Sequence, residues 1–343
     1  MGNGCNSTLY EDVRERICRK IYEGVFKEGE RIPAERTLAE MLKVSRITLR
    51  RSLELLAQQG LIVKEVGSGS HVVLPNCGVP SSTDMIVLIA PAENPFFSDF
   101  IRHFQAYGQE CGSMALYAEK PHKESLADSI YRFWQKRLYN VVVWPEDVEI
   151  DRERLRRLRA LGMNMVFFDS DIGLPFADAV ALDNQKAVHD VCTHIRANRG
   201  GQIGYIGWAD GPRYSRKARE QAILEEPGAN ILARLSWKAR KLAGELLCEF
   251  LRKRVGELPP VIFYGDRECG VAVWDALREI GRTDILLAGI DDFPGAKEAH
   301  AIVCRQDIRQ SVQAIFRCIE FQNEKGTLWH AETHCINGHI VVY

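Results

Sequence analysis

Between Lys43 and Arg51 the chain places four cations, Lys43, Arg46, Arg50 and Arg51, and no acid. At 100° per residue, Ile47, Arg50 and Arg51 fall opposite a face made of Leu49, Leu53 and Leu56, with Arg46 in the first turn. A helix buried on one side and cationic on the other suits a major groove. There arginine donates two parallel hydrogen bonds to guanine or pairs with phosphate. Ser45, immediately before, has the right side chain to cap that helix. A second group follows short apolar runs further along: Asn94 with Phe96 and Phe97, Asp169, Asp183-Asn184, Asp266 and Asp291-Asp292. Carboxylates and amides exchange hydrogen bonds with hydroxyls, and aromatic faces cover C–H surface. Any single carboxylate at a strand end is more often a helix cap or turn residue, so the recurrence carries the weight.

Other constellations are weaker. Asp169, Asp183, Asp266 and Asp291 are the residue type of a glycosidase acid pair, so a carbohydrate-active enzyme or a sugar-binding protein is the alternative class. His330, His334, Cys335 and His339 are credible metal-ligand types, but the last two fall in an extended terminal segment, and no metal site is expected. Gly67-Ser68-Gly69 lacks the third glycine and the following helix of a dinucleotide fingerprint, and no Gly-Lys-Ser/Thr phosphate loop occurs. His189, Cys192 and His194 do not share a helical face. The basic run Arg152, Arg154, Arg156, Arg157, Arg159 reads as a solvated helix. No catalytic residue and no cofactor is expected.

The elements that must position these residues form two textures. The chain has 343 residues, room for two to three domains of about 150 each. Its 45 Lys and Arg against 46 Asp and Glu exclude a polybasic or polyacidic chain as a whole. The first 74 residues carry a net +2 and the remainder a net −3. No run of eighteen apolar residues exists, so no membrane span is expected. Met1 to Thr8 has no apolar signal core, and the ten cysteines form no Cys-x-x-Cys pair. Both features point to reduced thiols in the cytoplasm. Leu9, Val13, Ile17 and Ile21 predict a helix ending at Gly24; Leu38, Met41 and Leu42 a second, short one; Leu49, Leu53 and Leu56 a third, stopping at Gly60. Leu61–Val63 and His71–Val73 predict a hairpin around Gly67 and Gly69, completing a winged helix-turn-helix. Pro75 to Thr83 reads as a linker. Beyond it, Met85–Ala90, Val141–Trp144, Met165–Phe168, Val180–Leu182, Ile203–Ile206, Val261–Tyr264 and Ile285–Ile290 are near-continuously apolar. That is the pattern of parallel strands covered by helices on both faces, an α/β architecture. Ligands of such sheets bind beyond the carboxyl ends of the strands.

Ile32-Pro33-Ala34-Glu35-Arg36-Thr37-Leu38-Ala39-Glu40, Val44-Ser45-Arg46-Ile47-Thr48-Leu49-Arg50, Leu55, Gly60-Leu61 and Gly67-Ser68-Gly69 resemble the DNA-binding domain of GntR-family transcription regulators over about residues 8–73. The resemblance implies DNA contacts at Arg36, Ser45, Arg46, Thr48, Arg50 and the wing glycine Gly69. Ile47 departs from it, since a small polar residue is frequent there. Asn94-Pro95-Phe96-Phe97, Val180-Ala181-Leu182-Asp183-Asn184, Ile203-Gly204-Tyr205-Ile206-Gly207, Gly289-Ile290-Asp291-Asp292 and Arg305-Gln306-Asp307 are similar to the effector domain of LacI-type regulators, itself like type I periplasmic sugar-binding proteins. This implies two α/β lobes joined by three crossing segments. It also implies ligand contacts at Phe96, Phe97, Asp169, Arg219, Asp266, Asp291 and Gln306, with Arg216 the alternative register for Arg219. The family's frequent Asn-Asp is Gly265-Asp266 here. The implied divisions are 1–74 for the DNA reader, 75–83 for the linker and 84–343 for the effector and dimerisation domain. Lobe 1 covers about 84–185 and 307–322, lobe 2 about 186–306 and 323–343. The arrangement is that of arabinose-repressor-like regulators. It implies a homodimer on double-stranded, pseudo-palindromic operator DNA, a small-molecule effector, a sugar by the polar residues proposed for the cleft, and repression of carbohydrate-use genes.

Overall fold

Val13, Ile17 and Ile21 are fully buried along α1 (Leu9–Tyr22), which crosses α3 (Arg46–Gln58) through Leu49, Leu53 and Leu56. The computed structural model describes residues 9–65, 69–75, 82–90, 95–121, 123–145, 150–170, 175–198, 201–210 and 214–343. Between these helices lies α2 (Glu35–Leu42), closed by Lys43 in the left-handed region at φ 54°. Strands β1 (Ile62–Glu65) and β2 (Gly69–Val72) pair antiparallel with Ile62 opposite Val72, and Arg31 bridges to His71 beside them. The winged helix-turn-helix is therefore present. Residues 66–68, with Gly67, and most of the expected 75–83 linker lie outside the described residues.

The rest of the chain builds two six-stranded sheets. The first lobe contains β3 (Met85–Ile89), α4 (Pro95–Glu110), β4 (Met114–Ala118), α5 (Leu126–Gln135), β5 (Asn140–Val143), α6 (Arg152–Ala160), β6 (Asn164–Phe168) and β7 (Asp178–Leu182). The second contains α7 (Asn184–Asn198), β8 (Ile203–Trp208), α8 (Tyr214–Leu224), β9 (Ala229–Leu235), α9 (Ala243–Arg252), β10 (Val261–Tyr264), α10 (Arg267–Glu279), β11 (Leu286–Ile290) and β12 (Ile302–Arg305). The chain then returns to the first lobe with α11 (Ile308–Lys325) and β13 (Thr333–Ile336) before ending in the second with β14 (His339–Val342). The strand orders are β13-β7-β6-β5-β3-β4 and β14-β12-β11-β10-β8-β9. All pairs are parallel except β12 with β14. The central strands β5, β6, β7, β10 and β11 are buried along their whole length, which explains their unbroken apolar runs. Among the described residues no helix is long and apolar enough to cross a membrane.

Two expectations are corrected. The division at 323 misplaces β13, which pairs with β7 in the first lobe's sheet, so the last crossing falls between Ile336 and His339. Asp178 anchors that return: its carboxylate accepts from the Gln322 amide at 2.7 Å, the Trp329 indole at 3.2 Å and the Glu332 backbone at 2.9 Å. The basic run on α6 is not a solvated face. Arg159 is fully buried, bonded to Asn164, Gln322 and the Met163 carbonyl, with its guanidinium 4.4 Å from the Trp329 ring centre. Arg154 lies 5.5 Å from the Tyr22 ring centre, and Arg156 and Arg157 bond to Glu28 and to the Tyr22 carbonyl of the N-terminal domain.

Burial raises the Asp178 carboxyl above its ordinary 3.8, although three donors oppose the shift. A raised native value means the folded state binds the proton more tightly. Asp178 therefore stabilises the fold most at low pH, and its contribution declines as pH rises above 3.8 and through the raised native value. Asp178→Asn should gain melting temperature relative to the native chain between pH 4 and pH 7. A difference that does not change with pH would show that Asp178 is not the group responsible.

Candidate DNA interface and effector cleft

The first turn of α3 is ordered by its cap. Ser45 Oγ accepts the Thr48 amide at 3.1 Å and lies 2.8 Å from the Thr48 hydroxyl. Of the residues expected at DNA, these two therefore position the helix as well as facing outward. Arg46 follows, exposed and with no hydrogen-bond or ion-pair partner among the described residues. Arg50 is also exposed but pairs with Glu35 of α2 at 3.0 Å. Arg51, on the same face, pairs with Glu54 at 3.2 Å. Arg36 is 80% exposed at the start of α2, 3.7 Å from Glu40. Gly69 opens β2 at φ 97°, and a Cβ there would meet the Arg31 side chain at 2.7 Å, so any other residue would displace Arg31. Acidic neighbours hold Arg36, Arg50 and Arg51 without burying them, and such exposed pairs are worth little. Exchanging them for phosphate or guanine contacts is correspondingly inexpensive.

The second site lies where the two sheets face each other. Asp169, at φ 52° just after β6, accepts a 3.0 Å hydrogen bond from Ser215 of α8, a contact between lobes. Arg219 is buried, donating to Asn184 and to the Gly265 carbonyl, both at 2.8 Å. Asp266 caps α10 through the Cys269 amide at 3.0 Å. Its carboxylate also takes the Trp208 indole N–H at 2.8 Å and lies 3.7 Å from Arg216. Asp291 stands at φ 68° after β11 and accepts the Gln306 amide at 2.7 Å. Burial raises the Asp291 carboxyl above its ordinary value, against the Arg219 charge and the Gln306 hydrogen bond. The structure thus brings Asp169, Arg219, Asp266, Asp291 and Gln306 to the carboxyl ends of the strands. The side chains of Phe96 and Phe97, in the first turn of α4, and the whole of Asn94 lie outside the described residues.

The choice between Arg216 and Arg219 dissolves, because both are buried at this site. The Arg216 guanidinium lies 3.9 Å from the Trp237 ring centre and 5.7 Å from that of Trp208. The two indoles meet edge to face at 5.1 Å. Sequence reasoning missed this aromatic corner. Trp208 directly follows the Ile203–Gly207 run and was the available signal. Trp237 lies in a 3-10 turn with no periodicity to mark it. Gly265 also gains a reason: a Cβ there would lie 2.7 Å from the Tyr205 hydroxyl. The bulk of Tyr205 occupies the space that an asparagine at 265 would need. The four candidate metal ligands are divided, since His334 and Cys335 are successive residues of β13 and His339 belongs to the other sheet. Among the described residues no group of three or more metal-binding side chains gathers.

A further contact joins the N-terminal domain to the first lobe. Tyr22, ending α1, stacks on Tyr131 of α5 with ring centres 4.2 Å apart and planes 2° from parallel. Its hydroxyl donates to Asp128 at 2.7 Å, and Arg154 of α6 donates to the same carboxylate at 3.0 Å. Arg156 binds Glu28 at 2.7 Å and Arg157 donates to the Tyr22 carbonyl at 3.3 Å. Burial acts to raise Asp128, but Ser125, Tyr22 and Arg154 together hold it below its ordinary 3.8. The stability it contributes is present above pH 3.8 and is lost as pH falls through the lowered native value.

Residues 9–72 match the family model described as bacterial regulatory proteins, gntR family. Over 67 residues the chain is 39% identical to the histidine utilization repressor of Klebsiella aerogenes, a region covering 20% of this chain and 28% of that protein. The match therefore spans little more than a quarter of that curated relative. Among solved structures, a putative ribose operon repressor from Burkholderia thailandensis superposes with a TM-score of 0.59 at 17% identity, covering 76% of this chain and 100% of that one. An ABC transporter solute-binding protein from Burkholderia graminis, solved in complex with D-arabinose, reaches 0.62 at 14% identity, covering 76% and 96%. At these identities the likeness is one of fold. The N-terminal domain is thus of the gntR helix-turn-helix type, and the two lobes share the fold of LacI-type repressors and periplasmic sugar-binding proteins.

Proposed function

We propose that the chain is a ligand-responsive DNA-binding regulator, a repressor acting as a homodimer, whose effector occupies the cleft between the lobes. The observation that carries this reading is α3: capped, apolar on its buried side, with Arg46 and Arg50 exposed beside a wing. The relative that shares the N-terminal domain is named as a repressor, which supports the same reading. Two readers on one dimer match two half-sites of a pseudo-palindromic operator. Arg36, Ser45, Arg46, Thr48, Arg50 and Gly69 contact the duplex in this proposal. Six or more phosphate contacts per dimer should make log affinity fall with log salt at a slope near −5 or steeper. Titration of a duplex selected from random sequence measures it, and a slope near zero would overturn DNA binding.

The effector is proposed to be a sugar. Asp169, Asp266, Asp291, Gln306 and Arg219 supply both acceptors and donors, and the Trp208–Trp237 corner supplies an apolar wall. A ligand touching Asp169 of one lobe and Asp291 of the other stabilises the closed cleft. Closure couples to DNA only if the two states differ in effector affinity. Thermal unfolding against a sugar panel tests this, since a ligand at 100 times its dissociation constant stabilises by about 2.7 kcal/mol. Asp291→Asn, which keeps a residue type that tolerates positive φ, should abolish that shift and leave DNA affinity unchanged. A retained shift would remove Asp291 from the site. Turnover of a chromogenic glycoside would instead favour an enzyme.

A further inference from the structure

Among the exposed large apolar side chains, Ile47 stands out at 84% accessibility. It is the second residue of α3, held in place by the Ser45–Thr48 cap that spans it. Three and four residues on come Arg50 and Arg51, on the same helical face. Leu49, Leu53 and Leu56, all buried, take the opposite face. Ile47 therefore does nothing for the core. It also lowers helix propensity, because branching at Cβ restricts χ1 against the preceding turn. The same restriction presents its methyl surface in one orientation. An apolar knob thus stands at the centre of a cationic face, between Arg46 and Arg50. In a major groove the apolar feature available to meet it is the C5-methyl group of thymine. We infer that Ile47 is a specificity-determining residue that reads one thymine in each half-site through that methyl. The inference rests on the proposed entry of α3 into the groove and adds the identity of a base.

The test uses the full chain and a duplex recovered from a random library by binding to it. Each thymine is replaced in turn by deoxyuridine, which lacks only the methyl. At one position per half-site, uracil should weaken binding by the native chain roughly fourfold, and roughly fifteenfold when both half-sites are changed, the effect of uncovering one methyl each time. Ile47→Ala should bind the thymine duplex about as weakly as the native chain binds the uracil duplex, and should no longer distinguish the two. The side chain is exposed, so the variant keeps its fold, and an unchanged melting temperature verifies it. Ile47→Ser, with a small polar side chain, should behave the same way. If Ile47→Ala retains full uracil discrimination at every position while specific binding persists, the inference is wrong but the DNA reading stands. A changed molecular mass in solution with discrimination retained would assign Ile47 to a contact between copies and likewise overturn it. Failure to enrich any duplex would take down the DNA reading itself, and the inference with it.

Discussion

Tyr22→Ala is expected to undock the DNA reader from the first lobe. Tyr22 is 3% exposed, and its ring lies flat on Tyr131 while its hydroxyl serves Asp128. Removing a buried aromatic side chain of this size costs about 3–5 kcal/mol. Here the loss falls on a junction between domains, because the apolar core of α1 and α3 continues without a break into α5 and β5. Calorimetry should then resolve a reader transition at a lower temperature than the sensor's. Tyr131→Ala tests the same junction from the other side, since Tyr131 belongs to the sensor. If the reader melts as in the native chain when Tyr131 is truncated, the contact does not hold the domains together. Tyr22→Phe keeps the stack and loses only the hydrogen bond to a charged partner, for a smaller effect of about 1.5–3 kcal/mol. Rigid docking has a consequence for regulation. In the proposed dimer, an N-terminal domain docked on the first lobe would follow the rotation of that lobe, so the proposed cleft closure would change the spacing of the two recognition helices without passing through the linker.

For DNA, Arg46→Ala should produce the largest single loss. A bidentate arginine–guanine contact is worth about 1–3 kcal/mol of discrimination, or roughly five- to 150-fold per half-site. Arg46 and Arg50 share the exposed side of α3, but their surroundings differ. Arg46 has no partner among the described residues to give up, whereas Arg50 holds Glu35 at 3.0 Å. Part of what Arg50 gains at DNA is offset by that exchange, so Arg50→Ala should cost less than Arg46→Ala. Parallel titrations of a selected and a scrambled duplex separate base reading from phosphate contact. A phosphate contact would weaken both duplexes alike and reduce the salt slope by about 0.9 per contact removed. Unchanged affinity for the selected duplex in both variants would remove α3 from the interface.

The sequence by itself determined the elements whose signals are local. The three reader helices, the Ser45 cap and the seven buried strand runs follow from spacing and from side-chain chemistry a few residues apart. Strands β4, β9, β12, β13 and β14 escaped that reading. Four of these lie at sheet edges, where burial alternates or fails, so even the apolar stretches Met114–Ala118 and 340–343 lack the full burial of the central strands. The acidic and amide residues of the cleft were legible because short polar residues at strand ends recur in the primary structure. The Trp208–Arg216–Trp237 corner was not, since its members are brought together only by the packing of β8, α8 and a turn. The helix α6 shows the divide most plainly. A run of five arginines looks solvated in any window of sequence. Tertiary structure buries Arg159 against Trp329 and turns Arg154, Arg156 and Arg157 onto Tyr22 and Glu28 of a domain more than a hundred residues away in the chain. Charge is local, but whether a charge meets water, a ring or a carboxylate is decided by which surfaces the fold brings together.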